Sequence, residues 1–197
     1  MRGRFLAFEG GEATGKTTQA ALLADRLGAL LTREPGGTDV GERVRAVVLD
    51  PALSVDAKTE ALLMAAARAQ HVSQVIEPTL ASGRTVVTDR FTASSLAYQG
   101  VGRGLDIAEV AALSAFATGG LQPDLVILLD VPLDVAASRL SSDPDRLEME
   151  GAPFHARVAS AFRQLAAADP DRWAVVPADA PVDEVAERVW AAVDRLK

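Results

Sequence analysis

The run Gly10-Gly11-Glu12-Ala13-Thr14-Gly15-Lys16-Thr17 constrains this chain more than any other segment. Gly10, Gly15, Lys16 and Thr17 stand at the spacing of a phosphate-binding P-loop. Residues 4–8 before it read as a buried strand, and residues 16–27 after it read as a helix. A strand that runs through a glycine loop into a helix is the context this motif needs. The glycines let backbone N–H groups turn inward around an anion. The helix start adds unpaired N–H groups and the positive end of its dipole. In that cradle Gly10, Gly11, Glu12, Ala13, Thr14, Gly15 and Thr18 would surround donor phosphates. Lys16 would reach the outer phosphates, and the Thr17 hydroxyl would ligate Mg²⁺. The bland alternative is a glycine-rich structural turn, which the flanking elements disfavour.

Short apolar segments alternate with helical patterns along the rest of the chain. Strands are expected at residues 29–32, 84–88, 124–131 and 173–176. Helices are expected at residues 38–49, with Val40, Val44, Val47 and Val48 on one face, and at 56–76, where Pro78 disturbs the end. Asp106, with Glu109 three residues on, opens a helix to about residue 118. Pro132 suits a helix first turn, residues 153–167 read as helix, and 181–196 close the chain as an amphipathic helix. No repeat or composition break marks a second domain, so one domain over residues 1–197 is expected. The pattern implies an α/β fold of the P-loop NTPase type: three α/β/α layers around a mainly parallel sheet of about five strands. Ligands of such folds bind beyond the carboxyl ends of the strands. Glu9 to Thr18, Arg33 to Gly37, Asp89-Arg90 and the 178–180 loop all fall at those ends.

Asp89 follows an apolar strand, where an acid can hold Mg²⁺ beside the P-loop threonine. Arg90 offers a planar fork for a second phosphate. On pattern alone Arg33 stays open between an anion contact and a solvated turn residue, and Arg45 and Arg68 read as helix arginines. There is no cysteine, so thiol chemistry is excluded. The two histidines, His71 and His155, read as ordinary helix residues. A net charge of −7 makes sequence-independent nucleic-acid binding a poor fit, so no nucleic-acid partner is expected. No apolar run reaches spanning length and the first residues lead straight into a strand. A cytoplasmic protein with no membrane partner is therefore expected.

Phe8-Glu9-Gly10, Gly15-Lys16-Thr17-Thr18-Gln19, Thr32-Arg33-Glu34-Pro35-Gly36-Gly37-Thr38, Arg68-Ala69-Gln70-His71, Asp89-Arg90-Phe91, Ala97-Tyr98-Gln99-Gly100, Gly102-Arg103-Gly104 and Asp145-Arg146-Leu147-Glu148 together resemble bacterial thymidylate kinases. The motifs run in family order over nearly the whole chain. The P-loop is widely shared; the Arg-Glu-Pro-Gly-Gly, Asp-Arg-Phe and Ala-Tyr-Gln-Gly runs are more specific. The resemblance implies phosphoryl transfer from ATP to dTMP, with ATP as co-substrate and Mg²⁺ as cofactor. By position, Lys16 and Thr17 would hold the donor phosphates and Mg²⁺. Glu12 would stand near the acceptor sugar and its phosphate. Arg90 would grip the acceptor phosphate, with Arg45 assisting and Arg33 on the same side. Arg68 and Ser95 would hydrogen-bond the thymine edge with Gln99 beside them, Ser94 would belong to the same substrate site, and Tyr98 would stand where a ribose 2′-hydroxyl would project. Residues 139–151 would form a short lid carrying Arg139 and Arg146, of which Arg146 would act in catalysis. The 178–180 loop would line the adenine. A homodimer is implied, with the 56–76 helix as a candidate surface.

Two features depart from the family. Met64 stands where most bacterial relatives have a phenylalanine stacked on the base; a thioether can still pack on a ring face. The lid and the P-loop are both poor in arginine. Another small-molecule kinase of the same fold, a nucleotide-dependent switch or assembly ATPase, and a degenerate binding protein are the competing readings. Arg68, Ser95 and Gln99 argue against the first, the absence of a water-positioning residue against the second, and intact Lys16, Thr17, Asp89 and Arg90 against the third. On this resemblance Arg68 would donate to the thymine carbonyl, and it cannot accept from a cytosine amino group. Strong rejection of cytidine nucleotides and only partial rejection of deoxyuridine monophosphate are expected.

Overall fold

The computed structural model describes residues 2–140 and 144–194. Five parallel strands form one sheet in the order β2-β3-β1-β4-β5. They are β1 (Phe5–Glu9), β2 (Leu30–Arg33), β3 (Val86–Asp89), β4 (Leu125–Asp130) and β5 (Trp173–Pro177). The sheet is parallel and mainly buried because each crossover lays helices over its faces.

Side-chain alternation in β1 sorts the two layers. Leu6 and Phe8 face a core shared with helix α1 (Lys16–Leu27) and helix α9 (Val182–Asp194), through Leu23, Val185 and Val189. Phe5 and Ala7 face the opposite layer, where Val72, Ile76, Leu80 and Phe91 pack. That second layer holds α3 (Ala57–His71), α4 (Glu77–Ala81) and α8 (Ala152–Ala168), with α6 (Ile107–Thr118) outside α3. Phe154, Val158 and Phe162 of α8 fill it around Tyr98. The remaining helices are α2 (Asp39–Leu49), α5 (Thr92–Ser95) and α7 (Leu133–Ser138).

Local signals set the helix starts. Asp56 accepts from the N–H groups of Lys58 and Thr59, and Asp106 from those of Ala108 and Glu109. The helix expected over 56–76 runs further. It passes through a π-helical turn, Val72–Ile76, and continues as α4 to Ala81. The wide turn lies just before Pro78 and accommodates the missing N–H, so the proline does not end the helix. The valine face expected on α2 also differs. Val48 is buried, whereas Val40 and Val47 are exposed. The expected final helix reaches Asp194, and its residues 195–196 lie outside the described residues.

Candidate active site

The loop after β1 turns at Gly10, whose φ of +144° and closeness to Leu129 leave no room for a side chain. A Cβ there would lie 2.7 Å from the Leu129 carbonyl oxygen. Lys16, the first residue of α1, curls back so that Nζ donates to the Gly11 carbonyl at 2.5 Å and to Thr14 Oγ1 at 3.3 Å. Burial, aided by Arg90, pushes its ammonium down to about 8 against the pull of Glu12, Asp89 and Glu9.

Thr17 Oγ1 donates to Asp89 Oδ2 at 2.6 Å across the α1–β3 gap. Asp89 Oδ1 is buried with no hydrogen-bond donor. A hydroxyl and a carboxylate oxygen left with spare acceptor capacity fit Mg²⁺, which takes one or two protein oxygens plus water and phosphate oxygens. Among the described residues no cluster of three or more His, Cys, Asp or Glu forms an all-protein metal cage.

Arg90 follows β3 with φ +73°, a left-handed conformation uncommon for a non-glycine residue. Its N–H still bonds the Phe8 carbonyl at 2.9 Å, which holds the turn. The turn sends the guanidinium back over β1. There it donates to the Gly10 carbonyl (3.0 Å), Ser94 Oγ (3.1 Å), Glu12 Oε1 (2.7 Å) and the Tyr98 hydroxyl (3.2 Å). Burial would raise the Glu12 carboxyl, but Arg90 and Lys16 outweigh it and hold Glu12 at about 2, helped by the Tyr98 hydroxyl donating at 2.5 Å. Glu9, fully buried at the end of β1, goes the other way. Burial lifts it to about 7, although the Phe91 and Ser94 N–H groups and the Ser94 hydroxyl all donate to it.

Beyond Arg90 lies a second cavity. Arg68 of α3 forms its polar end, with its guanidinium almost wholly buried. Nε donates to Glu34 Oε2 at 2.7 Å, one terminal nitrogen to Ser95 Oγ at 3.0 Å and the other to the Phe91 carbonyl at 3.1 Å. Met64, one helical turn earlier on α3, joins Leu49 and Leu147 as its apolar lining. Gln99 and Tyr98 enter from the π-helical turn Leu96–Gly102. Glu12, Glu34, Arg45, Arg90 and Asp145 line both this cavity and the chamber around the P-loop, so the two spaces meet at these five side chains.

The residues singled out from sequence divide accordingly. Glu12, Arg45, Met64, Arg68, Arg90, Ser94, Ser95, Tyr98 and Gln99 line the second cavity. Residues 12–18, Arg33, Asp89 and Arg139 line the P-loop chamber. Arg33 is absent from the second cavity and pairs with Glu42 on the rim at 3.0 Å. Arg139 donates to the Ala178 carbonyl at 3.2 Å, which sets it against the 178–180 loop. Arg146 is not brought to the P-loop. It is tied to the Val48 carbonyl (2.7 Å) and to buried Glu60 (2.5 Å), which hold it on the far side of the second cavity. Within the expected lid, residues 141–143 lie outside the described residues.

Some polar residues at the site carried no role in the sequence reading. His71 is a helix residue, as expected, and closes α3. It is fully buried, with Nδ1 3.0 Å from Glu34 Oε1 and Nε2 2.6 Å from Thr32 Oγ1. The imidazole thus bridges Glu34 of the loop after β2 and Thr32 of β2 itself. His155 borders a neighbouring cavity with Glu12, and its Nε2 is buried without a partner. Glu60 has a signal that was legible: Glu60, Met64 and Arg68 recur every four residues and share one face of α3.

Comparison with known proteins then identifies the family. A family profile described as thymidylate kinase matches residues 8–189. The chain belongs to the thymidylate kinase family. It is 47% identical to the thymidylate kinase of Desulforudis audaxviator over 100% of this chain and 92% of that relative. It is 50% identical to that of a Synechococcus species, over 96% and 94% respectively. The crystal structure of thymidylate kinase from Ehrlichia chaffeensis superposes with a TM-score of 0.83 at 30% identity, covering 98% of this chain and 100% of that one. The five-stranded parallel sheet and the P-loop chamber are thus those of a thymidylate kinase, a nucleoside monophosphate kinase that takes ATP as phosphate donor.

Proposed function

We propose that this thymidylate kinase moves the terminal phosphoryl of ATP onto dTMP where its two cavities meet, over Arg90. The carrying observation is that Glu12, Arg45 and Arg90 line both spaces. A donor phosphate in the P-loop chamber and an acceptor phosphate in the second cavity would share those side chains. The acceptor, a phosphate monoester with second pKa ~6, is already mostly ionised at neutral pH, so no general base is needed. The difficulty is bringing two polyanions into line.

The charge balance of the chamber defines that difficulty. Lys16, Arg33, Arg45, Arg90 and Arg139 line it, and so do Glu12, Glu34, Asp89, Asp145 and Glu148. The cations are matched one for one, so protein charge alone leaves no surplus for the nucleotides. Thr17 and Asp89 would hold Mg²⁺, which supplies that surplus. Lys16 would exchange its contact with the Gly11 carbonyl for donor phosphate oxygens, a move that favours its charged form. Arg90 would trade Glu12 for the acceptor phosphate. Glu12, freed and strongly ionised, would accept from a sugar hydroxyl.

Arg68 would donate to a base carbonyl with the N–H groups left after Glu34, Ser95 and Phe91 are served. Met64 would pack on the ring face, and Tyr98 would close the space beside the sugar C2′. Arg139 is the lid-side cation nearest the P-loop and is assigned to the donor phosphates in place of Arg146, with the 178–180 loop against the adenine.

Two further assignments belong to this reading. The protein would act in the cytoplasm, where ATP is available; no helix among the described residues is long and apolar enough to cross a membrane. It would form a homodimer through α6, whose outward residues Ile107 and Phe116 are exposed, together with Leu62 of α3.

The test is a panel of nucleoside monophosphates with ATP, read as ADP release and diphosphate formed. The expected result is dTMP phosphorylated best, dUMP partly and dCMP poorly, with activity lost on chelating Mg²⁺. Absence of ATP-dependent dTDP formation with Mg²⁺ supplied would overturn the proposal.

A further inference from the structure

Glu60 is wholly buried in the first turn of α3, yet it binds no part of the P-loop chamber. Its carboxylate collects donors from the cavity wall, a loop and the lid root. Oε1 accepts from Gln99 Nε2 at 2.8 Å and from Arg103 Nε at 3.3 Å. Oε2 accepts from a terminal nitrogen of Arg103 at 3.1 Å and from Arg146 at 2.5 Å. Burial would favour its neutral form, but Arg103, Gln99 and Arg146 together outweigh that and keep it ionised.

An ionised carboxylate has no proton to give. Whatever faces Oε1 must therefore be a donor, and this settles the direction of the Gln99 amide. Its nitrogen end is committed to Glu60, and no donor among the described residues reaches its carbonyl oxygen. Gln99 also lines the acceptor cavity, beside Arg68 and Ser95. The cavity is thereby given a fixed pair: a guanidinium donor from Arg68 and a carbonyl acceptor from Gln99.

We infer that Glu60 is a positioning residue for base selection, which locks the Gln99 amide so that its carbonyl oxygen faces the base and accepts from a ring N–H. This rests on the acceptor cavity holding a nucleobase, as proposed above. The ligand class that satisfies the pair is an imide edge, a carbonyl next to a ring N–H, as in thymine and uracil. Cytosine presents an amino group and a bare ring nitrogen there, and would meet a donor with a donor and an acceptor with an acceptor. Without Glu60 the amide could rotate, and a buried donor would face the ring N–H unpaired.

Glu60→Gln tests this directly. Oε2 serves both arginines, so the new amide keeps its oxygen there and turns its nitrogen toward Gln99. Gln99 then flips to accept, and shows its amino group to the base. The expected result is a rise in KM for dTMP of about tenfold or more. The dTMP-over-dCMP preference in kcat/KM falls by a similar factor, and KM for ATP is unchanged. The exchanged pair E60Q/Q99E restores an acceptor toward the base, because the amide now on α3 donates to one oxygen of the carboxylate now on the π-helical turn, and the other oxygen faces the ring. Its KM for dTMP returns to within about threefold of wild type, which a loss of support for Arg146 alone would not repair.

An unchanged dTMP KM and preference in E60Q, or no recovery in the exchanged pair, overturns the assignment. Should E60Q not fold, a crystal structure of the wild type with dTMP decides. The amide nitrogen must stay on Glu60 with its oxygen on the ring N–H; a Gln99 turned from the base overturns the inference. If wild type fails to phosphorylate dTMP at all, the reading of the cavity falls first. If it succeeds while E60Q is normal, only the role of Glu60 falls.

Discussion

In the proposed transfer Arg90 carries the central charge, in one guanidinium held by four oxygens and a left-handed backbone. Arg90→Ala should lower kcat/KM for dTMP by about 10³, in the range of other phosphate-stabilising arginines. ATP binding through the P-loop should survive, which calorimetry can check against the transfer rate; normal transfer would remove Arg90 from its role. Glu9 carries a second prediction, for stability. Its carboxyl is raised from 4.5 to about 7 by burial. Between those values the folded chain holds the proton more tightly than the unfolded chain. Stability contributed by this group is therefore complete below pH 4.5 and falls as pH rises through 7. Glu9→Gln can keep an oxygen on the Phe91 and Ser94 N–H groups and offer its nitrogen to Ser94 Oγ. The pH slope of the urea midpoint between about 5 and 7.5 should flatten in that variant, and an unaltered slope would refute it. The residues assigned to nucleotide binding were legible because glycine spacing and arginine-bearing motifs are local in the chain. The roles of Glu34 and His71 were not, and for Glu60 only its place on the Met64–Arg68 face was. Their meaning comes from partners such as Arg68 and Arg103, 34 and 43 residues away.

At the level of elements, the strands and their caps were readable because each depends on its own few residues. Asp56 and Asp106 cap as their side chains dictate, and β1 alternates as a doubly buried strand must. The π-helical turns were not readable, since a wider turn leaves the hydrophobic period almost unchanged over five or seven residues. Yet the second of them, Leu96–Gly102, delivers Tyr98 and Gln99 to the acceptor cavity. It lies so close to α8 that a Cβ on Gly102 would stand 2.8 Å from Phe154 Cε2 and 3.2 Å from Val158 Cγ2. Phe154 in turn sets its ring edge-on against Tyr98 at 6.0 Å. Gly102→Ala should cost about 1–3 kcal/mol through overpacking. It should also raise KM for dTMP several-fold more than KM for ATP, because the displaced Phe154 pushes on Tyr98 and leaves the P-loop alone. Urea denaturation and steady-state kinetics would show both, and equal KM changes for the two nucleotides would count against this route.

For the whole molecule, the open question on the surface is what covers α6. Phe116 is 88% exposed, an unusual cost for a phenylalanine on a folded domain. Ile107, Ala108, Ala111, Ala112 and Ala115 extend the exposure along the same helix, with Glu109 as its one exposed charge. Small residues around a single large one make a surface that a second copy can match about a two-fold axis, each Phe116 settling over the other's alanines. The α6 helix packs on α3, and α3 carries Met64 and Arg68 on its inner side. A dimer through α6 and Leu62 would thus stiffen the helix that forms the polar end of the acceptor cavity. Phe116→Glu places a carboxylate opposite its own symmetry mate and should halve the sedimentation mass while far-UV circular dichroism stays native. The thermal midpoint should lose its dependence on protein concentration, and KM for dTMP should rise a few-fold as α3 loses its outer support. If the variant keeps the wild-type mass, α6 is not the contact; if it becomes monomeric with an unaltered KM, the interface exists but does not reach the acceptor cavity.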